Sequence, residues 1–136
     1  MRVESRARAR AVQALYAWEM RGGRDLDRVA AQLWDDLAVR PTERQLADRL
    51  LTEAGRHMPE LDAQLAAVTT NWRLERVGVV ERCVLRLAAA ELRLGATPPK
   101  VVLRESIRLA ERYGSPTSAR FVNGVLDALA RKAGRL

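Results

Sequence analysis

Apolar residues recur along this chain at intervals of three and four rather than two, the spacing of helices that bury one face. A first helix is predicted from about Glu4 to Met20, stopped by Gly22-Gly23. A second runs from about Asp25, a plausible N-cap, to Ala38 and stops before Pro41. Thr42, three residues before Gln45, marks a capping box for a third helix that fades at His57-Met58-Pro59, and "ELDAQLAAV" (60–68) forms a short fourth. After a break at "TTNW" (69–72) and a short turn, a long fifth helix reaches about Leu94 and ends at Gly95, with Pro98-Pro99 beyond. The sixth spans about Lys100 to Arg112 with Gly114 as its C′ residue. The seventh starts on Ser115 as N-cap with Pro116 in its first turn. The fold class that follows is all-α, with about seven helices.

A faint internal repeat bears on how these helices group. "AVQALYAWEM" (11–20) and "CVLRLAAAEL" (83–92) match at Val12/Val84, Leu15/Leu87, Ala17/Ala89 and Glu19/Glu91. Four matches among common helix residues suit two small bundles, each built on one such helix. The chain then reads as a single domain, 1–136, with an N-terminal helical subdomain (1–70), a C-terminal one (71–136) and a seam near 70–76.

Composition narrows the class. Of 136 residues, 48% are hydrophobic, enough for a core, and only 4% are aromatic, which with the abundance of Ala, Leu, Arg and Glu favours helix. The single cysteine, Cys83, excludes an intrachain disulfide and fits a reducing compartment. The N-terminal stretch lacks the apolar run of about 7–15 residues of a secretory signal, and no segment approaches the roughly 18 apolar residues of a membrane span. A cytoplasmic protein with no membrane partner is expected.

Catalytic chemistry finds little support. His57 is the only histidine and sits at a helix end with no nucleophile around it, which suits a capping or surface role. Asp35 and Asp36 are adjacent, so on a helix they diverge by about 100° and cannot share a proton. There is no Gly-rich phosphate loop and no metal-ligand spacing. A non-enzymatic binding module, without cofactor or metal, is the expectation. Trp18, Trp34 and Trp72 read as core anchors.

Net charge is +7, but its distribution is more informative. Residues 1–22 sum to +3, residues 23–70 to −3 and residues 71–136 to +7. A polyanion should therefore touch the first helix and the C-terminal half and avoid the middle. On a helical wheel Ala7, Ala11, Val12, Ala14, Leu15 and Trp18 form the buried arc of the first helix. Arg2, Arg6 and Arg10 fall within about 80° opposite, with Gln13 continuing their line. No acid in the same row relieves the repulsion between Arg6 and Arg10, so the row reads either as a solvated face or as a phosphate-binding one. Arg8 lies toward the apolar side. On the long fifth helix Arg82 and Arg86 are one turn apart beside Glu81, again a solvated face or a contact. In the last helix Phe121 sits at the edge of the buried arc and in the first exposed turn, near Ser118, Arg120 and Asn123. An aromatic in that setting serves as core or as a stacking platform for an unpaired base, with the amide reading an edge and the Arg a phosphate. Gly124 costs helix stability relative to Ala and marks close approach of a strand or of another helix.

Taken in order, "RARARAVQALYAWEM", "GVVERCVLRLAAAEL", "VVLRESIRLAERYG" and "SARFVNGVLDALA" resemble the NusB family of bacterial transcription antitermination factors over nearly the whole chain. Related helical domains precede the catalytic domain of some rRNA cytosine methyltransferases, which leaves an RNA-binding module in rRNA maturation as the alternative. The absence of a methyltransferase domain here favours the free-standing factor. The resemblance implies two three-helix bundles and a role in transcription. It implies pairing with the small-subunit ribosomal protein NusE, and binding of the single-stranded boxA element of rRNA operon leaders, in company with RNA polymerase and other Nus factors. Some members form homodimers, so both states stay open. The family's RNA face maps onto Arg6, Arg8 and Arg10 and onto Ser118, Arg120, Phe121 and Asn123, with Gln13 and Arg86 added from the helical rows. The NusE face maps onto Tyr16 and Glu81. Pro116-Thr117 stands where an acidic residue is common, and fewer negative charges there would strengthen RNA binding.

Overall fold

The computed structural model describes residues 2–69 and 77–136, and among these there are six helices and no strand. They are α1 (Val3–Met20), α2 (Leu26–Asp36), α3 (Pro41–Val68), α4 (Val79–Leu94), α5 (Pro99–Tyr113) and α6 (Pro116–Lys132). The expected seam at 70–76, and Trp72 within it, lie outside the described residues.

Most predicted ends hold because the punctuating residues act as expected. Gly95 closes α4 in the left-handed region (φ 74°), where a residue with a Cβ is strained. Ser115 caps α6 by accepting a hydrogen bond from the Ser118 backbone N–H at 3.2 Å, and Pro116 sits in the first turn, where its missing N–H costs nothing. Four local readings change. Asp25 precedes α2 in the left-handed region (φ 59°) and its side chain makes no cap bond. The predicted third and fourth helices are one element, α3: Pro59 lacks the donor for the Gly55 carbonyl and crowds it, so the helix kinks at His57 (φ −125°, ψ 19°) instead of ending. Thr42 is no cap, because α3 already starts at Pro41 and its N-cap residue is Arg40. Gly114 is not left-handed (φ −116°); it is needed for close approach, since a Cβ there would meet the Ala110 carbonyl at 2.8 Å.

Helix α4 is the axis of the fold. Every residue from Arg82 to Leu92 is buried, and α1, α3, α5 and α6 all pack against it. Buried residues from all six helices join one apolar cluster, in which Leu15, Leu61, Leu65, Leu85 and Leu126 are almost wholly enclosed. Each such leucine contributes about 1.5–3 kcal/mol from burial. Trp34 is a core anchor, with its indole N–H donating to Asp48 Oδ1 at 2.8 Å, and Trp18 packs at the cluster's edge. His57 bridges Glu60 (3.1 Å) and Glu53 (3.6 Å) at the kink.

Because α4 is enclosed on all sides, its polar residues must find partners inside. Arg82 and Arg86, near its start, bond Glu19 near the end of α1. Glu91, near its end, accepts from Arg8 near the start of α1. The two helices therefore run antiparallel, locked at both ends by Arg–Glu pairs. The glutamates matched in the faint repeat, Glu19 and Glu91, are the two acceptors.

Candidate nucleic-acid interface

The predicted cationic row of α1 is present on the surface, and it is held sideways. Glu43 of α3 reaches across and accepts from Arg6 Nε at 2.7 Å and from Arg10 Nε at 3.3 Å. This relieves the repulsion that α1 alone cannot, from a residue more than thirty positions away. The Arg6 hydrogen bond holds the Glu43 carboxyl below its usual range, against its own burial, with Arg10 assisting. Arg10 also donates to Gln13 Oε1 (3.2 Å), and the Gln13 amide donates to the Tyr113 hydroxyl at 3.4 Å. The row is thus a fixed strip from Arg6 to the end of α5. The Arg6 side chain keeps 40% of its surface and that of Arg10 30%, so both can still meet a ligand.

Arg8 and Arg86 are placed elsewhere. Arg8 is buried and gives Glu91 a two-pronged bond (2.8 and 2.6 Å), with Glu105 at 3.3 Å. Ser5 and Thr97 hydroxyls donate to those same two carboxylates. The bond to Glu91 raises the Arg8 pKa despite burial. Arg86 is also buried; burial works to lower its pKa, and the paired bonds to Asp62 at 2.9 Å, with Glu19 nearby, outweigh it and raise it. Both guanidiniums are spent on interior carboxylates, which corrects the expectation that they line an exposed binding face. The Cys83 thiol, beside Arg82 and Arg86, is pushed up to about 12 by burial and the neighbouring Glu19, so it stays protonated.

At the other end of the strip lies a groove of about 840 Å³ where α6 starts beside the start of α4. Phe121, Arg120, Gly124, Glu81 and Ser118 line it. Phe121 is 36% exposed, and Arg120 has no ion pair or hydrogen bond among the described residues. A Cβ on Gly124 would meet nothing within 4 Å, so Gly124 faces open space and not a packed helix. Ser118 is buried and its hydroxyl donates to Glu81, tying α6 to α4 beneath the groove. Asn123 is exposed but does not line the groove, since two residues along a helix from Phe121 it points about 200° away. The expected single pocket of Phe121 and Asn123 is therefore not formed; Phe121 is joined instead by Arg120 and the bare backbone side of Gly124.

Tyr16 is 45% exposed one turn before Glu19, and Glu81 directly precedes Arg82. The Glu19–Arg82 pair brings these two stretches to the same end of the molecule, beside the groove. Sequence reasoning missed Glu43 and Tyr113, which complete the strip; each acts across more than thirty residues and leaves no local signal. Among the described residues no His, Cys, Asp and Glu cluster suits a metal, and no helix is long and apolar enough to cross a membrane.

Comparison with known proteins fits this geometry. The model of the NusB family matches residues 5–131. The chain belongs to the NusB family. The transcription antitermination protein NusB of Anaeromyxobacter dehalogenans is 43% identical over 129 residues, 93% of this chain and 89% of that one. Its namesake in Sorangium cellulosum is 41% identical over all of this chain and 97% of its own. A crystal structure of the antitermination factors NusB and NusE with double-stranded RNA superposes with a TM-score of 0.88 at 29% identity, covering 97% of this chain and 98% of that one. NusB relatives of this kind are regulators and not enzymes. That agrees with a surface built from positioned cations and the exposed rings of Phe121 and Tyr16.

Proposed function

We propose that this NusB chain is an RNA-binding antitermination factor of the cytoplasm, which with NusE binds the boxA element of rRNA operon leaders and keeps RNA polymerase transcribing. The observation that carries the reading is the exposed Phe121 beside Arg120 and the open side of Gly124, reached from the Gln13–Tyr113 end of the strip that begins at Arg6 and Arg10. An RNA strand lying there would set phosphates on the strip and stack a base on the ring. Tyr16 and Glu81, flanking the groove, are the side we assign to NusE. Arg8, Arg86 and Ser118 support this surface from beneath.

The test is binding of a boxA-like strand and a scrambled strand at two salt concentrations, with and without NusE. Phosphate contacts make affinity fall with salt for both strands, and stacking adds on top. Phe121→Ala should weaken the boxA-like strand by about 1–3 kcal/mol, the worth of one stacked base, with the folded fraction checked by melting because the ring is partly covered. An unchanged affinity for both strands would remove the groove from the RNA surface.

A further inference from the structure

Outside the strip and the groove, the molecule carries one more organised charge feature. Helix α5 presents Lys100, Arg104, Arg108 and Arg112 on its solvent side, each exposed and each four residues from the next. Steps of four residues advance about 6 Å along a helix, so the four cations cover about 18 Å. That step is comparable to the separation of consecutive phosphates along an extended strand. Like charges at this spacing destabilise a helix, and the neighbours relieve them only in part. Arg108 has Glu105 at 3.7 Å, and Arg112 lies over the Tyr113 ring at 5.2 Å. Lys100 and Arg104 have no ion pair or hydrogen bond among the described residues. Glu111 is the one acid on the same exposed face, and Asp127 across the neighbouring groove is already held by Arg131 at 2.9 Å.

The column also has a direction. Each four-residue step turns it by about 40° around the helix. It begins over the groove between α5 and α6, where Lys100 and Arg104 stand near Arg131, and ends over the groove between α1 and α5, where Arg108 and Arg112 stand beside Ser5 and Ala9. There it reaches Tyr113, whose hydroxyl accepts from Gln13 of the α1 strip. The two basic lines thus join end to end through Gln13 and Tyr113. An acidic protein partner would want apolar anchors in the middle of such a face; on α5 itself Leu103 is buried and Ile107 is partly covered by the core, so the exposed apolar side chain there is Leu136 at the chain's end, across the groove from the cations.

We infer that the α5 ridge is a second phosphate track, which holds the RNA backbone beyond the element bound at α1 and α6 without reading its bases. This rests on the RNA-binding reading above. The test uses the full chain with NusE, a boxA-like strand, and the same strand extended by oligouridine at either end. The variant is Lys100→Ala with Arg104→Ala, at two exposed positions where alanine favours helix. For the wild type, extension at one end should tighten binding several-fold, and a mixed-sequence extension of the same length should do the same. The variant should bind the unextended strand as well as the wild type does and lose the gain from extension. Its salt slope on the extended strand should fall by about 1.4, two single-strand phosphate contacts. No gain at either end, or an equal gain in both proteins, overturns the track while leaving the α1 and α6 surface standing. Failure of the unextended strand to bind the wild type overturns the underlying reading, and the track with it.

Discussion

Arg8 and Arg6 stand two residues apart on one helix, in a run that looks uniform in sequence, yet they do opposite work. Arg8 is sealed against Glu91 and Glu105 at the junction of α1, α4 and α5. Arg6 shares Glu43 with Arg10 and keeps two-fifths of its side chain in water. The same division separates buried Arg82 and Arg86 on α4 from the open cations of α5 and from Arg120 on α6. A positive count therefore measures two quantities at once. Part of it neutralises carboxylates inside the fold, and the rest is available to a polyanion. Which carboxylate each guanidinium meets decides its role.

The sharpest way to break the comparison is to truncate on both sides of it. Arg8→Ala leaves Glu91 buried without its main partner and should cost about 3–5 kcal/mol, seen as a lowered urea midpoint with any RNA effect explained by loss of folded protein. Replacing Arg8 and Glu91 together with Met and Leu should recover much of that loss, since a packed apolar pair can substitute for a buried ion pair. If Arg8→Ala were instead folded as well as the wild type and selectively deficient in RNA binding, Arg8 would belong to the surface after all.

How much of this was legible beforehand follows from distance along the chain. Gly22-Gly23, Gly95 and Ser115-Pro116 act on their own neighbours, so helix limits could be read within a residue or two. The wheel already set Arg8 toward the apolar side, because angle is a local property. Arg86 gave no such hint: α4 is buried around its whole circumference, and its partner Asp62 is 24 residues away. The pocket of Phe121 and Asn123 failed for a simpler reason, since nearness in sequence does not place two residues on one helix face. The α3 kink shows the reverse case, where Pro59 was a correct local signal of a break and packing carried the helix through it.

Glu43 sharpens the comparison from the acid side. Its carboxyl is held below the usual value of 4.5 by the Arg6 bond first, with burial opposing and Arg10 assisting. A carboxyl depressed in the folded state stabilises the fold above its unfolded pKa, and that contribution is lost as pH falls through the lower folded value. Glu43→Gln should therefore be less stable than the wild type at neutral pH by less than Arg8→Ala, and the gap should close as pH drops below about 4.5. Urea midpoints measured from neutral to acid pH give the answer. Parallel curves would mean that Glu43 does not hold its charge for the two arginines.

The smallest expected effect concerns Gly124, where stability and binding pull apart. A methyl group there meets nothing in the folded chain, so Gly124→Ala should stabilise α6 by about 0.5–1 kcal/mol, the usual gain for a helix interior. If an RNA strand passes over the bare side of Gly124 beside Phe121, the same methyl group stands in its path. The variant should then melt higher and bind the boxA-like strand more weakly, a combination that no general loss of structure can produce. A higher melting point with unchanged binding would place the strand away from Gly124.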